Sequence, residues 1–406
     1  MYTMLHSALV ASIATLFAAA PPSNSGPPAT TPAVTARADN FASDVADIAA
    51  IAKPIVDRYQ LPGLAIAVVS DERLVALGTA GVRERNGKDR IERGDRFHLG
   101  SCTKAVTATL AAELISRGSL GWQKTVGELL GPSLPNMHEA WKLVSLEELL
   151  HHRGGAPASP NANDWGAAWK CEGSPEECRA EFVASMLARP PAQARGTYVY
   201  SNQGYAIVGR MCEIAAGKDW ESLLVERVLA PLGVTSAGFG PPWKATARQA
   251  PRGHSKTGEV NDIDNPAAIG PSGTLHLTME DWARFIALHL RGETKGGLGV
   301  TANDFKRLHT AADGDKEQYA CGWTVAERPW AGGDGKTGRV LTHSGSNTVW
   351  FCVAWLAPDR RFAVIVACNQ GGDYAAKGCD QAAGQALRWW QEQNAAATKS
   401  GPAIDK

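Results

Sequence analysis

Two apolar hairpins near opposite ends of the chain limit its fold more than anything between them. Residues 64–69 and 74–79 are apolar runs joined by Ser70-Asp71-Glu72-Arg73, and residues 349–356 and 362–367 are joined by Ala357-Pro358-Asp359-Arg360. Connections this short join antiparallel strands only. The first group has to pair with the last for one sheet to form, so the two ends of the chain build one unit. A helix is predicted over residues 40–59 from Phe41, Val45, Ile48, Ile51 and Ile55, with Pro54 as a kink, and another over 379–393 with Ala386, Leu387, Trp389 and Trp390. A helix at each end covers one face of the sheet. Residues 96–98, 319–325 and 340–345 add short strands.

The middle of the chain is helical in pattern, at 126–130, 146–150, 179–187, 206–215 and 220–229, with glycine and proline between the pieces. The expected fold is α/β (α+β): an antiparallel sheet flanked by terminal helices and interrupted by a mostly helical insert. The expected segments are 1–20 a signal peptide, 21–38 a flexible linker, 39–98 with 265–395 a discontinuous sheet domain, 99–264 a helical domain, and 396–406 a disordered tail. The signal reading rests on the apolar run from Ala8 to Ala20, too short to span a bilayer. It implies a periplasmic or secreted protein, although residues 1–6 carry no Lys or Arg.

Charge and motif content narrow the function. With 41 basic and 41 acidic residues, net charge is zero, which argues against nucleic acid or an anionic membrane as partner. No phosphate loop, dinucleotide fingerprint or zinc spacing occurs, and no cofactor or metal is implied. In an exported chain the eight cysteines invite disulfides. Cys171 and Cys178 are the best pair. Cys352 and Cys368 either face each other across the late hairpin or are two buried thiols, the reading we favour. Trp165 and Trp169 belong to a polar insertion, as a lid, a binding wall or plain loop packing.

The chemistry centres on Ser101-Cys102-Thr103-Lys104, which opens a run to Arg117 with Val106, Leu110 and Leu114 every fourth residue and Gly118 as its stop. On a helix Ser101 and Lys104 share a side, with Cβ atoms roughly 5–6 Å apart, so the amine reaches the hydroxyl. An alcohol is a poor nucleophile until a base takes its proton, and a helix start offers free N–H groups to an oxyanion. Alone the pattern is weak, since a serine cap followed by a surface lysine spells it too. Three further stretches join it: Tyr200-Ser201-Asn202 before a helical run, His343-Ser344-Gly345 at a strand end, and Leu149-Leu150-His151-His152-Arg153-Gly154-Gly155 at a helix end.

Together these resemble the serine β-lactamase and penicillin-binding-protein superfamily, in the branch of class C β-lactamases, D-alanyl-D-alanine carboxypeptidases and family VIII esterases. The likeness runs over about residues 61–369. Ala230-Pro231-Leu232-Gly233-Val234, Gly270-Pro271-Ser272-Gly273, Asp281-Trp282-Ala283-Arg284-Phe285 and Gly322-Trp323 also fit its pattern. A tyrosine in the middle box separates this branch from class A enzymes. Lys336-Thr337-Gly338 competes for the third box, but it follows a glycine-rich string that reads as a turn, so His343-Ser344-Gly345 is preferred.

The resemblance implies an exported serine hydrolase working through an acyl-serine on small amides, D-amino-acid peptides or esters. The alternatives are a β-lactamase proper, or a penicillin-binding or sensing protein that does not turn over. Ser101 is the expected nucleophile, Lys104 and Tyr200 share its proton without either being assigned as base, and the backbone N–H groups of Ser101 and Ser346 hold the oxyanion. Asn202 holds the substrate carbonyl or the lysine, His343, Ser344 and Gly345 bind substrate, and a small molecule or peptide is the partner. Each has a structural counter-reading: Tyr200 a packed phenol, Asn202 a helix cap, His343 a satisfied strand-end histidine, Cys102 core, and His152 a structural group holding backbone carbonyls. A histidine where the family can carry a lysine weakens carboxylate recognition, because it is mostly neutral near pH 7.

Overall fold

The computed structural model describes residues 40–244, 250–332 and 336–399, so the expected signal peptide and linker lie outside the described residues. In chain order the strands are β1 (Ala46–Asp47), β2 (Gly63–Ser70), β3 (Arg73–Gly81), β4 (Arg96–His98), β5 (Gly238–Phe239), β6 (Leu275–Thr278), β7 (Tyr319–Ala320), β8 (Trp323–Arg328), β9 (Gly338–Ser346), β10 (Phe351–Ala357) and β11 (Phe362–Cys368). The helices are α1 (Ala49–Tyr59), α2 (Thr103–Ser116), α3 (Val126–Leu130), α4 (Leu146–Leu150), α5 (Ala162–Lys170), α6 (Pro175–Leu187), α7 (Asn202–Ala216), α8 (Trp220–Leu224), α9 (Gly270–Gly273), α10 (Met279–Lys295), α11 (Ala302–Leu308) and α12 (Asp373–Lys399).

The main sheet has the order β1-β3-β2-β11-β10-β9-β8-β7. The early and late hairpins meet where β2 lies antiparallel to β11, with Ile66 opposite Val366. β2 is buried on both faces, so its period of two divides it between two cores. Leu64, Ile66 and Val68 pack with Ile55 of α1 and Ala382 and Trp390 of α12. Ala65, Ala67 and Val69 join the larger core with α2 and α10. Among the described residues no helix is long and apolar enough to cross a membrane.

Several expectations change. The helix predicted over 40–59 is a 3-10 turn (Asn40–Ala42), the short β1, parallel to β3, and then α1. Asp44 at φ 58° interrupts it, and the Asp47 carboxylate accepts from the Ala49 N–H (2.8 Å) at the start of the surviving helix. β4 joins a separate three-stranded sheet with β6 and β5 rather than the main sheet. Trp165 and Trp169 sit on α5, capped by Asn161, with rings edge to face at 5.9 Å. Residues 396–399 of the expected tail continue α12.

Cys171 and Cys178 form a disulfide. Cys352 and Cys368 stay free because β10 pairs Cys352 with Ala367 and Phe351 with Cys368. That one-residue offset sends the two thiols to opposite faces, one into each core.

Candidate active site

Ser101 sits in a single 3-10 turn, Gly100–Cys102, that runs straight into α2. The repeat of Val106, Leu110 and Leu114 describes only part of this helix, because Thr103 through Leu114 are all buried. α2 is central rather than amphipathic, and Lys104 is enclosed with it. Gly322, at φ +85°, lets the β7–β8 turn lie on the helix: a Cβ there would stand 2.4 Å from the Ala105 nitrogen.

The Lys104 ammonium nitrogen lies 3.2 Å from Ser101 Oγ, 2.7 Å from Asn202 Oδ1 and 2.9 Å from the Ser272 carbonyl oxygen. Burial strips water from the charged form and brings the Lys104 pKa down to about 7. The Tyr200 ring faces the same nitrogen at 4.8 Å, with the Ser101 side chain beside its hydroxyl. Burial pushes this phenol above its ordinary value, so it is protonated near neutral pH. One side chain thus carries the amine and the other keeps its proton.

Asn202 is the first residue of α7 and not its cap. Ser201 caps the helix, accepting from the Gly204 N–H at 3.1 Å, which frees Asn202 for Lys104. His152, at φ 59°, holds a backbone N–H rather than the expected carbonyl: its Nδ1 accepts from Ser201 N–H at 3.1 Å. Its ring lies 4.3 Å from that of Tyr200, so it supports the phenol from behind.

His343 is less available to a ligand than its strand-end position suggests. Its Nε2 bonds the Tyr319 hydroxyl at 3.1 Å, and its Nδ1 lies 2.6 Å from the Ser344 carbonyl oxygen. Ser344 and Ser346 project from β9 to the exposed side. Gly345 lies against the turn that carries Ser101, where a Cβ would stand 2.0 Å from the Leu99 carbonyl oxygen. Gly100, at φ +46°, does the same from the other side, 2.3 Å from the Ser346 nitrogen. The backbones carrying Ser101 N–H and Ser346 N–H are therefore in contact. Lys336 is exposed and just before the opposite end of β9, roughly 25 Å along the strand from Ser344.

Sequence reading missed two supports. The Ser272 carbonyl that holds Lys104 belongs to Gly270-Pro271-Ser272-Gly273, whose Pro271 carbonyl also accepts from the Thr107 hydroxyl at 2.7 Å. Tyr319 shares its hydroxyl with His343. The glycine-proline string was the only sign of the first, and the second left none. In front of Ser101 opens a cleft of about 530 Å³ whose walls include Tyr198, Tyr200, Tyr319, Thr324, Thr342 and Trp355. No Lys, Arg, Asp or Glu lines it among the described residues.

Residues 48–387 match the family model described as Beta-lactamase. Penicillin-binding protein 4 of Amycolatopsis lactamdurans is 26% identical over 332 residues, which are 77% of this chain and 82% of that protein. A D-aminopeptidase of Brucella anthropi is 25% identical over 341 residues, 81% of this chain but 60% of that longer protein. The solved D-alanine carboxypeptidase AmpC of Burkholderia cenocepacia superposes with a TM-score of 0.64 at 20% identity, covering 82% of this chain and 96% of that one. With a family match over most of its length, the chain belongs to the beta-lactamase family.

Proposed function

We propose that this chain is an exported serine hydrolase that forms an acyl-serine at Ser101, with Lys104 as the base and esters or small neutral amides as substrates. The observation that carries the reading is the Lys104 nitrogen, 3.2 Å from Ser101 Oγ with its pKa brought down to about 7. At that value about half the lysine is the free amine at neutral pH, which suits a base taking a proton from an alcohol.

Ser101 Oγ adds to the carbonyl carbon as its proton passes to the Lys104 amine, and the new oxyanion rests on the N–H groups of Ser101 and Ser346. As the carbon–oxygen or carbon–nitrogen bond breaks, the Tyr200 hydroxyl gives its proton to the leaving group and regains one from Lys104 through the Ser101 site. Water then attacks the acyl carbon as its proton goes to the same amine, and as the acyl–Oγ bond breaks the Lys104 ammonium returns that proton to Ser101 Oγ, releasing the acid and restoring the free amine. Asn202 and the Ser272 carbonyl hold the lysine at the serine throughout.

The cleft wall supports the substrate class. Aromatic and hydroxyl side chains without a charged group suit uncharged acyl and leaving groups. Among the described residues that line the cleft a D-alanyl dipeptide would find no Lys or Arg for its carboxylate, and a free amino terminus no acid. Turnover of a p-nitrophenyl ester, nitrocefin and a D-alanyl dipeptide, measured side by side, tests this. The ester is expected to be turned over fastest, and dominant dipeptide or nitrocefin hydrolysis would overturn the substrate class. Cleavage near Ala20 in protein recovered outside the cytoplasm would support export, and an intact amino terminus on cytoplasmic protein would contradict it.

A further inference from the structure

The two backbones that carry the oxyanion donors are tied together from behind by one buried carboxylate. Asp264 is 9% exposed and lies beneath the nucleophile turn. Its Oδ1 stands 3.0 Å from His98 Nε2 and accepts from Asn347 Nδ2 at 2.8 Å and from the Asn265 N–H at 2.7 Å. His98, 1% exposed at the end of β4, accepts the Gly100 N–H on its Nδ1 at 3.0 Å. Accepting there leaves the ring proton on Nε2, which meets Asp264 Oδ1 as a close polar contact and not as an aligned hydrogen bond. One arm from Asp264 thus reaches the residue before Ser101, and the other reaches the residue after Ser346.

Each arm holds a backbone that is not at rest by itself. Gly100 has φ +46°. On the other side Thr348 has φ 77°, an unusual conformation for a β-branched residue, in the turn joining β9 to β10. Asn347 holds that turn through its Oδ1, which accepts from the N–H groups of Val349 and Trp350 at 3.4 and 3.1 Å.

A buried carboxylate is costly unless it is paired. Among the described residues no Lys or Arg pairs with Asp264, and its Oδ2 has no hydrogen-bond partner. If the only task were to fill this space, an apolar residue would do so at lower cost. A negative centre that draws in His98 and Asn347 at once does something an apolar residue does not: it fixes the distance between two loops far apart in the chain. Oxyanion donors act through that distance, because they must meet the oxygen of the transition state at about 2.7–3.1 Å.

We propose that Asp264 is a positioning residue which, through His98 and Asn347, sets the spacing of the Ser101 and Ser346 N–H groups. This rests on the acyl-serine reading given above. It adds a part of the site that touches no substrate and that no sequence motif marks.

The test is the second-order rate at which a fluorophosphonate labels Ser101, together with kcat and KM for a p-nitrophenyl ester, in wild type, Asp264→Ala, Asp264→Asn and Asn347→Ala. The Asp264→Ala labelling rate and kcat are expected to fall about 100-fold, the order of losing one oxyanion donor, with KM within about twofold. Asp264→Asn keeps one acceptor oxygen and should recover at least tenfold of the loss, which a merely structural defect would not reproduce in kcat alone. Asn347→Ala loosens one arm and should fall between, and it carries the test if Asp264→Ala does not fold. Folded Asp264→Ala or Asn347→Ala protein that labels and turns over at wild-type rates would overturn the proposal, as would a loss confined to KM. Failure of wild type itself to label at Ser101 would instead overturn the acyl-serine reading.

Discussion

Two buried polar networks hang from α2, and they differ chiefly in what they open onto. At its first turn Lys104 joins Ser101, Asn202 and the Ser272 carbonyl, and the group opens onto the cleft. Farther along the same helix, Thr109 meets His289 Nε2 at 3.1 Å, His289 Nδ1 meets His309 Nε2 at 2.8 Å, and His309 Nδ1 meets Glu293 at 2.7 Å. Arg339 closes that chain on Glu293. Burial lowers the pKa of both histidines. With neutral rings His309 donates to Glu293 and His289 to His309, while the Thr109 hydroxyl lies between the Ala105 carbonyl at 2.9 Å and His289 Nε2. Both networks hold displaced titrations, yet only the first meets the cleft. The comparison teaches that a shifted pKa marks a working group only where a ligand can reach it.

The sharpest way to break the contrast is to remove one group from each network. Lys104→Ala should lower ester turnover by about 10²–10⁴-fold, the usual share of a general base, in protein that still folds. His289→Ala should do the reverse. It leaves a hole among Phe285, Phe305 and Trp323 and deprives Thr109 and His309 of partners, costing about 2–4 kcal/mol in denaturant unfolding while turnover per folded molecule stays near wild type. If His289→Ala removed turnover from stable protein, the division between the networks would fail.

Acidity gives a smaller effect with a definite sign. Lys104 has its folded pKa lowered to about 7 from 10.5, so ammonium prevails below that pH and the amine above it. Turnover should rise with pH along a limb centred near 7 and level off above 8. The same shift makes the unfolded chain hold more protons between about 7 and 10.5, so this group's contribution to stability rises with pH in that window. A flat rate profile from pH 5.5 to 8.5 would assign the base elsewhere. On β9, His343→Ala should reduce turnover several-fold by freeing the Tyr319 hydroxyl, whereas exposed Lys336→Ala should change it by less than twofold. The opposite ranking would restore Lys336-Thr337-Gly338 as the third box.

What could be read in advance follows from how local each signal is. α3 and α4 coincide with the expected 126–130 and 146–150 because each starts with a capping box, Thr125 with Glu128 and Ser145 with Glu148. The approach of Ser101 to Lys104 lies within one helical turn, so the spacing suggests it and the other stretches give it weight. The pairing of β2 with β11 was legible because both hairpins are short and apolar and must share a sheet. By contrast, the Cys352 register depends on a one-residue offset that composition does not encode. Ser272 acts through a backbone carbonyl, which has no side-chain signature. Asp264 and His98 come together only through the tertiary fold. The helix over 40–59 was overextended because its apolar spacing continues through Asp44, whose positive φ ends any helix there.

The claim on which everything rests is that Ser101 is the nucleophile. A fluorophosphonate probe followed by peptide mass analysis tests it most directly. The account predicts a single adduct on Ser101 in wild type, none in Ser101→Ala, and strongly slowed labelling in Lys104→Ala. Labelling that persists in Ser101→Ala, or an adduct on another residue, would contradict it.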